Sequence, residues 1–440
     1  MRPAIILPKG LTSMTRFTLA FGFVLVSCGW SLAGESDWPQ WRGPNRDGHA
    51  APQSLLQEWP DGGPALAWKA ADLGTGYSAV SVVDDRVYTM GSKDGKSLVI
   101  CLSLDDGSVV WQTPIGRAGN QDDYNVRWGD GQRCTPTVDR GQVFVISDVG
   151  TVASLDASNG EMKWSVEMVG DYGGSIPIWG YSESPLVDGD RVVVTPGEAN
   201  FLVAFDRNSG QRVWGSKGVD APAQYVSVMK GQVGSRSFYV TASTTGLLAF
   251  DVDGGEKVFE DSATANKTAV IPTPVLEKDL LYHTSAYGAG NTLLRLSESD
   301  GPTINAKSVY ALKTKSMENH HGGVVLVDGT IYGFTKSSGG NWMAQDLESG
   351  ETLWQERVRP NRSGSICFAD GRLYCYNDKD GTVILVEPSR DQWKPKGTLK
   401  LPAQTTIPRG SGAIWAHPVV AAGKLIIRDQ DLMYAFDIAR

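Results

Sequence analysis

Thr151-Val152-Ala153-Ser154-Leu155-Asp156-Ala157-Ser158-Asn159-Gly160-Glu161-Met162-Lys163-Trp164-Ser165-Val166 decides the fold. An apolar run ends in Asp156, Gly160 follows four residues on, and Trp164 four residues after that. The spacing has a physical reason. The Asp carboxylate opens a tight turn by accepting hydrogen bonds from backbone N–H groups ahead of it, and the Gly takes a positive φ. The aromatic then lies on the returning strand, where it can pack between neighbouring sheets. The same unit recurs as Asp206, Gly210 and Trp214; as Asp251, Gly255 and Phe259; and as Asp346, Gly350 and Trp354. A variant with Ser103, Gly107 and Trp111 opens the series.

A second hairpin precedes each unit. Pro136-Thr137-Val138-Asp139 leads to Val143-Phe144-Val145, and Pro185-Leu186-Val187-Asp188 leads to Val192-Val193-Val194. Each repeat thus holds four strands, one blade of a β-propeller. The 51 Gly and 22 Pro, spread along the whole chain, agree with many short strands and turns and would interrupt long helices. Trp68, Trp111, Trp164, Trp214, Phe259, Tyr310, Trp354 and Trp393 read as the outer-strand aromatics. They predict an all-β, eight-bladed propeller of four-stranded antiparallel blades over residues 61–440. Two units are degraded: an insertion separates Leu293-Leu294-Arg295-Leu296 from Tyr310, and the stretch around Leu385-Val386-Glu387 lacks the Gly. The chain stops one strand short of a full unit, at Tyr434–Arg440, while Ala65-Leu66-Ala67-Trp68 is an outer strand with nothing before it. The N-terminal strand is therefore expected to complete the last blade and leave no free edge there.

The Asp-x-x-x-Gly-x-x-x-Trp units resemble the PQQ-type (pyrroloquinoline quinone) repeats of quinoprotein dehydrogenases and of BamB-like outer-membrane assembly proteins. The resemblance covers roughly residues 60–440. A nearer one is to a secreted bacterial group of PQQ-like repeat proteins. It rests on the stretch from Asp37-Trp38-Pro39-Gln40-Trp41-Arg42 to Asp47-Gly48, on Trp179-Gly180-Tyr181-Ser182-Glu183-Ser184-Pro185, and on Asn319-His320-His321-Gly322-Gly323. It implies the propeller. It does not by itself imply the PQQ cofactor.

Arg2, Lys9 and Arg16, the apolar stretch Leu19–Val26 and the small residues of Ser31-Leu32-Ala33 read as an export signal spanning residues 1–33. An N-terminal extension, residues 34–60, is then expected to pack on the propeller. Leu25-Val26-Ser27-Cys28 also resembles a lipobox, so lipid anchoring at Cys28 is the alternative to plain secretion into the periplasm or beyond. No run is long enough to span a bilayer. The formal charge of −8, which excludes none of the three basic residues of the leader, argues against nucleic acid as a partner. The mature chain reads as a monomer. Among its four cysteines, Cys367 and Cys375 flank a turn, so a cross-strand bridge is conceivable; buried thiols are the other reading.

In an up-and-down blade the first strand lies nearest the axis, and the connections from outer to next inner strand emerge on one face. Here those connections are long (112–134, 165–183 and 394–416), so that face is the candidate for function. The residues before each inner strand should surround the axial mouth: Tyr77, Arg133, Glu183, Tyr225, His320, His321, Trp415 and His417. Their mixture of rings and charges suits a polar or ring-shaped ligand. The same residues also read as the lining of a water-filled channel, with Arg133–Glu183 as a structural ion pair, His320-His321 capping a strand, and Trp128 and Trp179 packing loops onto the ring. On a strand, His320 and His321 would point to opposite faces. Asn377-Asp378-Lys379-Asp380-Gly381 resembles part of a calcium loop but lacks the later Glu. No zinc spacing, nucleophile elbow or nucleotide fingerprint is present. A non-catalytic binding or scaffold propeller, BamB-like and acting on envelope proteins, is the leading expectation. A PQQ-dependent dehydrogenase and a glycan-binding propeller are the alternatives. The dehydrogenase reading lacks the adjacent Cys pair, a haem-attachment site and a calcium-ligand set.

Overall fold

The structure is a computed structural model that describes Met1, residues 36–313 and residues 315–440. The export signal, Cys28 and the cleavage site at Ala33 lie outside the described residues. Eight four-stranded antiparallel sheets follow one another around a common axis. Blade 1 runs Ser81–Val83, Arg86–Lys93, Lys96–Ser103 and Val109–Arg117 from axis to rim, and blades 2 to 7 repeat that order. Blade 8 takes Val419–Ala421, Lys424–Asp429 and Leu432–Asp437 from the end of the chain. Its rim strand is Ala65–Ala70, which pairs antiparallel with Leu432–Asp437 from Ala65↔Asp437 to Ala70↔Met433. The beginning of the ring thus meets its end, as expected. Among the described residues no helix is long and apolar enough to cross a membrane.

The repeated unit works as its spacing predicts. Asp206 Oδ1 accepts the Asn208 and Ser209 N–H groups at 3.1 and 2.9 Å, and Gly210 sits at φ 69°. A Cβ on Gly160 would stand 2.5 Å from the Trp111 ring of the preceding blade, so Gly is required there by contact as well as by its φ of 75°. Trp68, Trp111, Trp164 and Trp214 then donate Nε1–H to the next blade, at the residue after its turn-opening position. Trp68 reaches Leu104 O at 2.8 Å, Trp111 reaches Ala157 O at 3.1 Å, and Trp164 reaches Arg207 O at 2.8 Å. Tyr310 does the same with its hydroxyl to Leu347 O at 2.8 Å, so the insertion in blade 5 lengthens a hairpin without breaking the relay. One local change both builds a turn and ties two sheets together.

Blade 7 departs from expectation. Trp393 is not on the rim strand, which runs Pro395–Lys400. Gly397 pairs with Leu385, and Trp59 from the N-terminal extension lies against it, 2.5 Å from where a Cβ would stand. Trp393 packs instead on Trp342 and Trp354 of blade 6, with ring centroids 6.0 and 5.8 Å away. Without the turn Gly, the connection lengthens and the ring turns back towards the previous sheet. The Cys367–Cys375 bridge is also excluded. Cys367 is opposite Tyr374, and Cys375 is opposite Ile366, so the thiols point to opposite faces. All four described cysteines are free and buried.

The axis is not an open channel. Residues 36–50 lie across it and bond to blades on opposite sides. Trp38 exchanges two hydrogen bonds of 2.8 Å with Val82 in blade 1, and Pro39 O accepts Val138 N in blade 2 at 2.8 Å. Arg46 donates to Ser184 O and Pro185 O, at 2.7 and 3.0 Å, where the chain enters blade 3. Across the axis, Arg42 donates to Val324 O of blade 6, and Phe368 N of blade 7 donates to Gly48 O at 2.8 Å. Burial lowers both arginines to about 10, which leaves them charged at neutral pH. They are strapped in by backbone carbonyls of the inner strands.

Candidate functional site

The strap turns the expected channel into a blind pocket. A cavity of about 340 Å³ opens on the face of the long connections, with Trp41 of the strap in its lining. Trp41 Nε1 donates to Thr273 Oγ1 at 2.9 Å, and its ring lies 4.5 Å from that of His417. Seven of the eight expected mouth residues come together here: Tyr77, Arg133, Tyr225, His320, His321, Trp415 and His417. Trp128 and Trp179 line the same cavity as well as packing loops.

Glu183 is the exception. It is 1 % exposed and turned into the ring, where its carboxylate accepts from the backbone N–H and, at 2.9 Å, the hydroxyl of Thr195. The Arg133–Glu183 ion pair is therefore not formed. Arg133 donates instead to Trp179 O and Gly129 O, both at 2.8 Å, and lies 5.0 Å over the Tyr77 ring. The nearest charge to favour ionised Glu183 is Arg46, and burial outweighs it, raising Glu183 to about 7.

His320 and His321 precede Val324–Val327 rather than lying on that strand, so the alternation of a strand does not apply and both rings face the cavity. Ser363 Oγ joins them, 3.2 Å from His320 Nδ1 and 2.9 Å from His321 Nδ1. Tyr287, half exposed at the rim, hydrogen-bonds His320 Nε2 at 2.9 Å. His417 Nε2 lies 3.0 Å from His321 O. Burial, helped by the Lys336 and Arg362 charges, lowers His320 to about 3; burial and Arg42 lower His417 to about 3. His321 is pushed well below its usual value by burial and by its two histidine neighbours. All three imidazoles are neutral at physiological pH.

Charge in the pocket comes from Arg133, Lys336 and Arg362. Arg362 lies 5.0 Å over the Trp128 ring and donates to Ser411 O at 2.9 Å, while Lys336 Nζ donates to Arg362 O at 3.3 Å. None of the three forms an ion pair among the described residues. The one carboxylate in the lining, Asp378, accepts Arg362 N at 2.8 Å, and burial raises its pKa. Sequence reasoning missed Trp41, Tyr287, Lys336, Arg362 and Asp378. Tyr287, Lys336 and Asp378 sit on or beside turns between second and third strands, which emerge on the same face as the long connections. That alternation was the available signal.

The lining bears on the quinone cofactor that PQQ-type repeats bring to mind. Rings and cations suit an acidic ring-shaped molecule. A calcium-ligand set is another matter: among the described residues no three His, Cys, Asp or Glu side chains converge as a metal site. The residues present do not fit a calcium–quinone pair.

A ring of eight sheets with its axis strapped shut below an aromatic, cationic pocket defines a propeller of PQQ-type repeats. The chain belongs to the family described as outer membrane protein assembly factor BamB, whose model matches residues 60–217 and 179–394. Among curated proteins it is 31% identical over 162 residues to quinohemoprotein alcohol dehydrogenase ADH-IIG of Pseudomonas putida, covering 34% of this chain and 21% of that one. It is 26% identical over 214 residues to BamB of Alkalilimnicola ehrlichii, covering 48% of this chain and 50% of that one. The match thus spans a fifth of one relative and half of the other. Among solved structures, BamB from Moraxella catarrhalis superposes with a TM-score of 0.58 at 15% identity, over 85% of this chain and 100% of that one. The quinohemoprotein alcohol dehydrogenase ADHIIG from Pseudomonas putida HK5 superposes with a TM-score of 0.59 at 13% identity, over 92% and 80%. At these identities the two superpositions speak for the fold alone.

Proposed function

We propose that this chain is an exported, non-catalytic binding propeller whose working site is the blind axial pocket. Residues 1–33 serve as a removable signal, residues 34–60 as the extension that straps the axis, and residues 61–440 as the ring. The protein acts as a monomer in the periplasm or outside the cell. The observation that carries this reading is the pocket itself, about 340 Å³ walled by aromatic rings and three cations that no carboxylate among the described residues pairs with. A volume of that size suits a small molecule or the end of a longer one. The ligand-binding residues are Tyr77, Arg133, Tyr225, His320, His321, Trp415 and His417, joined by Trp41, Lys336 and Arg362.

BamB-like service to envelope proteins is a second reading, favoured by the family match across residues 60–394. In that reading the pocket takes a protruding side chain or chain end of the partner. Both readings are tested by a thermal-shift screen of chemically diverse small molecules against the wild type and Ser182→Trp, which fills the cavity from its wall. Hits that disappear in Ser182→Trp support a binding pocket. A screen whose hits all survive that change, or that yields none, overturns it.

A further inference from the structure

The pocket's ring geometry and charge point to a narrower class of ligand, and the argument rests on the pocket reading above. Every ring contact in the lining is tilted or edge-on. Tyr77 meets Trp415 at 43°, Trp179 meets Tyr225 at 44°, Trp41 meets His417 at 57°, and His320 meets Trp415 at 80°. Such facets make a cup. A flat polycyclic molecule stacks best on one extended flat wall, and neighbouring rings here are turned away from a common plane. A puckered saturated ring, which presents C–H groups in several directions, meets tilted facets well.

The polar groups agree with a hydroxylated ring. Ser182, Thr268 and Ser363 line the cavity beside neutral imidazoles that both donate and accept. The charge then adds an acid. Lys336 and Arg362 are adjacent, joined through Nζ to O at 3.3 Å, and burial and the Arg362 charge together lower Lys336. Arg362 lies 5.0 Å over the Trp128 ring, and Arg133 donates to the adjoining Gly129 O at 2.8 Å, so both guanidinium groups meet the same loop. Like charges gathered in a part-buried cup, with Asp378 as the one carboxylate in the lining, are relieved by an incoming anion.

We infer that the axial pocket binds an acidic sugar unit, a pyranose carrying a carboxylate or sulfate, with its ring in the aromatic cup and its acid against Arg362 and Lys336. Trp41 makes the strap part of the specificity: it is the facet at the axis, supplied by the N-terminal extension rather than by a blade.

The test is calorimetric titration of the full mature chain with D-glucuronic acid and with glucose 6-sulfate. The controls are D-glucuronamide, which keeps the shape and loses the charge, and 2-naphthoate, which is a flat acid. At least one acidic sugar is expected to bind about ten-fold or more tightly than the amide. That preference should fall below about two-fold in Arg362→Gln and in Lys336→Gln and should shrink with added salt; a tenfold ratio corresponds to about 1.4 kcal/mol. Two variants are used so that one unfolded protein leaves the other informative, and circular dichroism checks both. Equal binding of acid and amide, tighter binding of naphthoate, or no binding of either acidic sugar overturns the assignment. If the screen above still yields hits that Ser182→Trp removes, the pocket stands and the sugar assignment alone has failed.

Discussion

The two faces of this ring are built in different ways. On one, the Asp-x-x-x-Gly turns repeat with nearly the same hydrogen bonds, and the rim Trp of successive blades close on the turn of the next. On the other, no two connections are alike, and the cavity exists because they converge with a strap from outside the ring. The first face is local chemistry repeated; it carries stability. The second is assembled from residues hundreds of positions apart; it carries the site. Perturbing the first should cost folding and spare pocket chemistry in whatever protein remains folded, while perturbing the second should do the reverse.

The sharpest way to break that contrast is at the seam. Deleting residues 60–70 removes the rim strand of blade 8 along with its pairing to Leu432–Asp437. The loss should be on the order of the whole folding stability, about 5–15 kcal/mol, and should abolish cooperative unfolding in thermal or urea melts. An unchanged melting temperature would mean that the seam does not hold the ring.

Next in size is Trp164→Ala. This ring is 8 % exposed and bonded to Arg207 O, so its loss leaves a cavity and an unpaired carbonyl between blades 2 and 3. A destabilisation of about 3–5 kcal/mol is expected from urea titration, with pocket ligands still bound by the folded fraction. Ser182→Trp should show the opposite pattern, with a melting temperature close to wild type and binding lost.

The smallest effect is on pH dependence, and Glu183 reports it. Its native value of about 7 lies above the ordinary 4.5, so the unfolded chain gives up its proton first as pH rises. Stability from this group is therefore full below pH 4.5 and is lost between about 4.5 and 7, by up to about 3 kcal/mol. Glu183→Gln keeps an acceptor and a donor for Thr195 and should remove that decline, seen as a flatter melting temperature from pH 5 to 8 than in the wild type. The histidines run the other way. His320 and His417 are held near 3, below the ordinary 6.5, so their contribution is present above pH 6.5 and is lost on acidification. His417→Asn should lessen the fall in stability between pH 6.5 and 4. Equal acid sensitivity in the variant would show that this imidazole is not the group being titrated.

The blades were legible because each depends on residues close in sequence: Asp206 reaches only to Ser209, and Trp164 needs only the next repeat. The reading failed where that locality failed. Trp393 stands six residues after Glu387, where the repeat sets its aromatic eight after the Asp; without the turn Gly the rim strand starts beyond it, and Trp59 takes the empty place beside Gly397. Glu183 adjoins the mouth in sequence, yet its side chain turns inward to Thr195. Trp41 was visible within a motif, but nothing local says that a segment before the first blade will cross the axis.

The order of strands, the number of blades and the closure of the ring by its own N-terminal strand followed from the sequence, because turn chemistry and rim packing act over a few residues and repeat. That the axis is shut, that seven of the expected mouth residues share one cup while Glu183 does not, and that three cations gather there without ion-pair partners among the described residues were decided by the tertiary structure. Those features depend on which side chains from different blades and from the strap arrive at the same point, and only the closed ring sets those distances.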